Sequence, residues 1–277
     1  MSAYPRHSEA TFPVRRPPFA FEQLPQDWVQ GDLLSSAFFM SLFASFPDGE
    51  QFFIRSVRQH RDLASSRAQQ ADISAFIGQE AVHGHAHSEL NDHLRRQGFD
   101  VDALLKRVNF LLETGEKHMS PADCLVATAA LEHLTAVLAR LILAEPAQRE
   151  RFANTELQKL IEWHALEESE HKAVAFNLMA SLNVSLGRRA TLMLSASTAL
   201  VGYLAWSTRH LYQSRTGRKP GLREYAGLAR TLFGRQGVVR KALPEYLQWF
   251  RPGFHPDQER THQLEQQARL RLGLSAT

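Results

Sequence analysis

The sequence predicts an all-α protein built around a four-helix core, with further helices before and after it. Long stretches lack the alternation of apolar and polar side chains that strands show, and no Asn-Gly hairpin turn occurs. Glycine and proline are concentrated between apolar segments of helical length. Two Glu-x-x-His pairs, Glu80/His83 and Glu168/His171, lie within such segments. Residues three apart share one helical face, so each pair can offer two ligands to one metal ion.

The composition is that of a mildly basic globular protein. The chain has 277 residues, a formal net charge of +3 and one cysteine, Cys124. Scattered arginines without an aromatic stripe argue against nucleic acid as a partner. One cysteine excludes an internal disulfide and a cysteine-built zinc site. Residues 1–25 are proline-rich and lack the apolar core of a secretory signal. We therefore expect a flexible arm over 1–25, one helical domain over 26–277 and a cytoplasmic location.

Breaks in the apolar pattern predict where each helix begins and ends. The first is expected at 32–46, and Pro47 and Gly49 interrupt it, with Asp48 as the cap of the next. Ser120 before Pro121 is another start signal. The expected helices after the first are 49–63, 67–96, 100–116, 120–143 and 146–182. Two or three more follow, with breaks at Gly187, 217–220, 234–237 and 251–256. The four-helix core then spans about 48–182, and about 185–277 forms a lid or docking region.

The most apolar stretch is 190–206, ATLMLSASTALVGYLAW. It is 17 residues long and interrupted by Ser and Thr, whereas a membrane-spanning helix needs roughly 20 predominantly apolar residues. We therefore expect a buried core helix, with a membrane-surface or partner-binding helix as the alternative.

The layout of the glutamates carries more weight than the pairs themselves. The composition predicts about one Glu-x-x-His pair by chance, and Glu259/His262, in a polar run, is interpreted as that accident. A dinuclear four-helix site takes one Glu from each of two helices and a Glu-x-x-His from each of the other two. The order in this chain is Glu50, Glu80/His83, Glu132 and Glu168/His171.

The spacing of these glutamates fits antiparallel helices. The midpoint of the first two is residue 65, and that of the last two lies close to Pro146, both plausible turns. The 52 residues between the second and the third are too many for such a hairpin and fit one long crossover that carries 100–116. Apolar side chains surround Glu80, Glu132 and Glu168 at helical spacing, so these carboxylates face inward. Buried carboxylates need cations, and we therefore expect two divalent metal ions.

His164 lies four residues before Glu168, on the same face. Direct ligation and a supporting role that orients another ligand are both consistent with this spacing. His85, His87 and His93 are expected to support the site or to lie at the surface. Glu167 and Glu170 are expected to turn away from this face, Glu170 into solvent. The expected metal ligands are Glu50, Glu80, His83, Glu132, His164, Glu168 and His171. The expected catalytic residues are Glu80, Glu168 and His164.

The six-residue pattern resembles the ferritin-like di-iron carboxylate proteins, which implies a ferritin-like bundle. With His164 added it is similar to the arylamine N-oxygenases, whose last helix supplies an extra histidine ligand. The segments FPDGEQFFIRSVR, GQEAVHGHAHSELN, ALEHLTA, WHALEESEHKAVAFN and RPGFHP look like a bacterial family of predicted metal-dependent hydrolases, over about residues 25–258. By analogy Glu80 and Glu168 bridge the ions, and His255 in RPGFHP is a pocket contact or part of a turn.

The ligand set leaves three functions open. Carboxylate and imidazole ligands without a thiolate suit iron or manganese and also hold zinc. The first hypothesis is a di-iron oxidase or oxygenase of a small organic substrate, with an electron-donor protein as partner. The second is a two-metal hydrolase of an ester or phosphoester, and the third is a non-enzymatic metal-binding protein. A peripheral membrane contact through 190–206 and a homodimer are further alternatives.

Overall fold

The computed structural model describes residues 10–29 and 31–274, and every named element in them is helical. The α-helices are α1 (Leu33–Ala44), α2 (Phe46–Gln59), α3 (Arg67–Arg96), α4 (Val101–His118), α5 (Pro121–Ala144), α6 (Pro146–Glu150), α7 (Thr155–His171), α8 (Val174–Ala180), α9 (Leu186–Thr216), α10 (Leu222–Phe233), α11 (Val238–Tyr246) and α12 (His262–Arg271). Short 3-10 helices lie at Phe21–Gln23, Arg61–Leu63, Leu247–Phe250 and Pro256–Gln258. The all-α prediction is confirmed for the described residues.

Side-chain caps begin the helices of the core. Ser66 accepts a hydrogen bond from the backbone N–H of Gln69 at the start of α3, and Ser120 accepts one from that of Asp123 at the start of α5. Asn154 accepts two at the start of α7. Each cap satisfies backbone donors that the first turn leaves unpaired, which contributes about 1 kcal/mol.

Four helices form a closed ring in the middle of the molecule. α2 packs against α3 and α5, and α7 packs against α5 and α3. α4 lies in the connection between α3 and α5, as predicted for one long crossover. Phe76, Leu125 and Trp163 are almost fully buried in this core, and burial of each such side chain contributes roughly 2–3 kcal/mol.

Two helix boundaries differ from the prediction. α2 begins before residue 49, and Pro47 lies in its first turn. Proline is tolerated there because backbone N–H groups of the first turn have no acceptor within the helix. The expected single helix over 146–182 is divided into α6, α7 and α8. Asn154 makes the first division, because its side chain starts a new helix.

The described part of the N-terminal arm packs against the core. Phe12 is 5% exposed and lies in the main apolar cluster. A Cβ at Gly78 of α3 would lie 2.7 Å from Val14 Cγ2, so a larger residue there would displace the Val14 side chain of the arm. The sequence predicts a flexible arm, whereas residues 10–25 contact α3 and α7 along their length. Residues 1–9 lie outside the described part of the chain.

α9 packs on the core by one face and leaves the other bare. It contacts α1, α4 and α5, and Met193, Tyr203 and Leu211 are buried. Two helices of the described residues are long and apolar enough to cross a membrane, α5 and α9. The most apolar window of α5 is 67% buried, but that of α9 is only 22% buried. The expectation of a buried core helix at 190–206 is therefore wrong, because no described element covers the outer side of α9.

Candidate metal centre

The seven predicted ligands meet inside the ring of α2, α3, α5 and α7. None of them is more than 7% exposed. α2 contributes Glu50, α3 contributes Glu80 and His83, α5 contributes Glu132, and α7 contributes His164, Glu168 and His171. The pair interpreted as an accident lies elsewhere, on the C-terminal segment, and the His262 side chain is 94% exposed. The structure therefore brings together the residues that the glutamate layout selects.

Close approach of α2 and α3 brings Glu50 into the cluster. Gly84 of α3 faces the first turn of α2, and a Cβ there would lie 3.2 Å from Glu50 Oε2 and 3.8 Å from Pro47 Cα. A side chain at this position would crowd the carboxylate. Gly84 therefore sets the distance between the two helices at the site.

Four overlapping groups of side chains could each hold a metal ion. They are Glu80, Glu132 and His171; Glu50, Glu80 and His83; His83, His164 and Glu168; and Glu50, His87 and His164. Within each group the ligand atoms lie within 4.8 Å of one another. Glu80 belongs to the first two groups. The Glu80 carboxylate is therefore within reach of the ligand atoms of both groups.

The Glu168 carboxylate lies between the two Glu-x-x-His pairs. Its Oε1 is 3.6 Å from His83 Nδ1, and its Oε2 is 3.5 Å from His171 Nε2. Each oxygen thus faces a histidine of a different pair.

Many buried ligand atoms have no hydrogen-bond partner among the described residues. They are both oxygens of Glu50, Glu80 and Glu132, together with Glu168 Oε2, His83 Nδ1 and His171 Nε2. Buried polar atoms are nearly always paired, because an unpaired one costs about 1–3 kcal/mol. Cations in contact with these atoms would supply the missing partners. The residues therefore fit a site for divalent ions.

Burial also sets the charge of the carboxyl groups. It raises the pKa of Glu50 and of Glu80 well above the usual range, and the pKa of Glu132 to about 7. Burial opposes ionisation of Glu168 too, but the neighbouring His171 holds the pKa of Glu168 well below its usual range. Without cations the cluster therefore retains protons, which bound metal ions would displace.

Two ligand histidines are oriented through the ring nitrogen that points away from the cluster. His171 Nδ1 donates to Gln79 Oε1 at 2.9 Å, which leaves Nε2 among the carboxylates. His83 Nε2 lies 3.1 Å from Glu167 Oε2, which leaves Nδ1 facing Glu168. An imidazole that donates from its outer nitrogen presents a lone pair to a metal on the inner one.

An arginine of the N-terminal arm anchors this outer layer. Arg15 donates to Glu167 at 3.1 Å and to both oxygens of Glu170 at 2.7 and 2.8 Å. Gln79 donates to Glu170 at 3.2 Å, and Arg269 of α12 donates to it at 2.6 Å. The prediction that Glu170 faces solvent is wrong, because these partners leave its side chain 2% exposed. Sequence reasoning missed Arg15, Gln79 and Arg269.

His164 connects the cluster to His87, which the sequence did not assign to the ligand set. His164 Nε2 lies 2.8 Å from Glu168 Oε1, and its Nδ1 lies 2.7 Å from His87 Nε2. Its ring is stacked on that of His83, with 4.2 Å between centroids. Both roles considered for His164, ligand and supporting residue, are compatible with this geometry. His87 follows His83 by one helical turn, which is the sequence signal for it.

A largely apolar cavity of about 300 Å³ adjoins the cluster. Glu50, His164 and Glu168 line it on the metal side, and side chains of α1, α2, α4, α5 and α9 form its walls. Among the described residues, neither lysine nor arginine lines it. Ser195 and Ala199 of α9 line it as well and are exposed. The cavity therefore reaches solvent beside α9.

Two further histidines have structural roles. The His133 ring packs against Trp249. His255 Nε2 contacts Asn177 Oδ1 at 2.8 Å, and its Nδ1 accepts from the Asp257 N–H. His255 is therefore part of a turn rather than a wall of the cavity.

Comparison with known proteins gives one match. The model of a family described as "Predicted metal-dependent hydrolase" matches residues 13–260. The match includes all five segments that carry the resemblance. No curated protein and no solved structure gives a significant match. Likeness to the ferritin-like proteins stays a prediction.

Glu80→Ala and His171→Ala are each expected to weaken metal binding by at least about tenfold, because each removes an atom from a shared ligand group. Metal content per chain, measured by mass spectrometry after loading and desalting, checks this. His262→Ala is the control, since its side chain is 94% exposed outside the cluster. Loss of metal in the control as well would show that the wrong Glu-x-x-His pairs are assigned.

Arg15→Gln is expected to lower metal affinity about tenfold, the usual effect of losing an outer-layer partner. The reason is that Glu167 and Glu170 lose their shared donor and no longer fix the ligand histidines. Competition with a chromogenic chelator measures the affinity. Arg16→Gln is a matched control, because Arg16 is the exposed neighbour. Equal affinities of the two variants would contradict a positioning role for Arg15.

Proposed function

Since the chain belongs to the family of predicted metal-dependent hydrolases, we propose that it is a two-metal enzyme that oxidises an apolar small molecule with dioxygen. The observation that carries the proposal is the direct contact between the buried carboxylates and the apolar cavity. Metal dependence follows from the family and from the buried clusters of Glu and His. The type of reaction is inferred from the cavity.

Four carboxylates and two or three imidazoles would hold the ions. Glu132 and His171 would hold one ion, Glu50 and His83 would hold the other, and Glu80 and Glu168 would be shared by the two. Such ligands without a thiolate suit iron or manganese, and also hold zinc. When bound, two such ions would either donate electrons to dioxygen, as iron does, or acidify a water molecule for hydrolysis.

The walls of the cavity favour oxidation over hydrolysis. Hydrolysis of an ester or phosphoester develops negative charge on a substrate oxygen, which donors or cations must stabilise. Apart from Glu50, His164 and Glu168 of the metal cluster, the polar side chains of the lining are the neutral hydroxyls of Ser45, Thr135, Ser195 and Tyr203. The Tyr203 hydroxyl is already used, since it donates to Ser41 O at 3.2 Å. An apolar substrate fits such walls without leaving polar atoms unpaired.

His164 is placed to move a proton between the cavity and the carboxylates. Its Nε2 faces Glu168 Oε1, and its Nδ1 faces His87 Nε2. A protonated His164 can give its Nε2 proton to Glu168 and remain a neutral ring, whose Nδ1–H then donates to His87 Nε2. The apolar walls limit entry of water, which protects the reaction from competing proton sources. This chain of three side chains gives His164 and Glu168 their proposed catalytic roles.

Hydrolysis of an apolar ester is the second candidate, and the description of the family favours it. Glu80 or Glu168 would then accept a proton from the attacking water, and His164 would donate one to the leaving oxygen. A protein that only stores metal would also need the carboxylates. Metal storage would give the apolar cavity no role, so we rank this hypothesis third.

Anaerobic loading with Fe(II), followed by exposure to dioxygen, tests the proposal. We expect about two irons per chain, consumption of dioxygen at an oxygen electrode and a transient visible absorption change. Glu80→Ala should abolish all three, and His262→Ala should keep them. Zinc- or manganese-loaded protein that cleaves 4-nitrophenyl decanoate, with no dioxygen consumption by the iron form, would establish hydrolysis instead. A failure to bind metal after loading would contradict both reactions.

Ala196→Trp is expected to close the cavity, because Ala196 lines it and the larger side chain fills the space. Binding of cis-parinaric acid, a fluorescent probe with an apolar chain, should weaken by at least about tenfold, or ~1.4 kcal/mol. Metal content should not change. Ala205→Trp is the control, since Ala205 is exposed on the same helix and is absent from the lining. Unchanged probe binding in Ala196→Trp would show that the cavity is not the binding site.

A further inference from the structure

We propose that the outer face of α9, α10 and α11 docks on an anionic membrane surface. We define this α9–α11 face by Leu194, Val201, Leu222, Phe233, Leu243 and Leu247, all of them exposed. α9 is joined to each of the other two helices by a side-chain hydrogen bond. Tyr212 of α9 donates to Glu224 of α10 at 3.0 Å, and the hydroxyls of Ser197 and Tyr246 are 3.2 Å apart. The helices thus form one unit on the outside of the core.

The solvent side of α10 is an apolar stripe. Leu222, Tyr225, Ala229 and Phe233 are all exposed, and their spacing places them on one side of the helix. Leu222 is 91% exposed and Phe233 is 59% exposed. A surface helix normally turns its apolar stripe towards the core. In the described part of the chain no element covers the α10 stripe, which leaves it free to contact a partner.

α9 and α11 extend the apolar surface. Val201 of α9 is 65% exposed, and Leu243 and Leu247 are about half exposed. The opposite side of α9 is tied to the core through buried residues such as Tyr203, whose hydroxyl donates to α1. A helix held in this way can lie along a membrane but cannot cross it without leaving the core. The geometry therefore points to peripheral docking.

The charge of this region favours lipid over protein as the occupant. Residues 186–251 carry twelve Arg and Lys against two Glu, whereas the rest of the chain carries twenty basic and twenty-seven acidic residues. Arg223 and Arg230 flank the α10 stripe, and Arg240 lies beside the exposed side chains of α11. Anionic headgroups attract arginines next to apolar side chains that enter the headgroup boundary. A second copy of the same face would instead bring like charges together.

The cavity opens beside the α9–α11 face. Ser195 and Ala199 line the cavity and are exposed, and they belong to the same turns of α9 as Leu194 and Val201 but lie further around the helix. A molecule dissolved in the membrane could therefore enter the cavity without crossing water. Membrane docking is therefore consistent with the apolar substrate of the proposed function. Docking does not depend on that function, because the α9–α11 face contains none of the metal ligands.

Vesicle sedimentation of the full-length, metal-loaded protein tests the proposal. The protein should sediment with vesicles of phosphatidylcholine mixed with phosphatidylglycerol and stay in solution with phosphatidylcholine alone, and high salt should reduce binding about tenfold. The double variants Leu222→Asp with Phe233→Asp, and Arg223→Glu with Arg230→Glu, should each reduce binding by at least about tenfold. Leu270→Asp on α12, where Leu270 is 72% exposed, and Arg67→Glu on α3 are the matched controls.

Three results would overturn the proposal. One is the absence of vesicle binding by wild-type protein that circular dichroism shows to be folded. Another is equal vesicle binding by the double variants and the controls. The third is a dimer in light scattering that the Leu222→Asp, Phe233→Asp variant dissociates, because a second copy would then be the occupant. Sedimentation does not measure turnover, so its failure leaves the proposed reaction standing, and a failed dioxygen test leaves docking standing.

Discussion

The low dielectric of the bundle interior is the constraint on which the rest of the structure depends. Four carboxylates lie side by side where water cannot screen them, and such charges are not stable together without cations or protons. The apolar packing that stabilises the four helices is the same packing that removes the water. Stability of the fold and affinity for cations therefore come from the same packed interior. All four helices enclose this interior, and each of them contributes at least one ligand to it.

Local rules account for what could be predicted from the sequence. Glu50, Glu80, Glu132 and Glu168 could be identified from two signals in the sequence. One is the helical spacing of residues around a glutamate, and the other is a turn signal midway between two of them. Contacts between distant segments have no such signal. Arg15 reaches Glu167 across 152 positions, and nothing near either residue indicates the pair. The exposure of α9 could not be predicted for a related reason, because composition does not reveal what covers a helix.

α9 divides the molecule into two environments. Its inner side helps to form the cavity, and its outer side carries apolar residues that no described element covers. A substrate that is poorly soluble in water needs both a dry reaction site and a route that avoids water. α9 contributes to both, because it lines the cavity on one side and faces the surroundings on the other. The chemistry proposed for the centre is in this way linked to the membrane in which an apolar substrate would dissolve.

Glu170 joins two segments far apart in the sequence, since Arg15 of the arm and Arg269 of α12 both donate to it. Residue 15 is synthesised before the four helices of the ring, and residue 269 is synthesised after them. A nascent chain can therefore bring the four carboxylates together while the layer that orients the histidines still lacks Arg269. The order of synthesis thus places completion of this outer layer after formation of the ring.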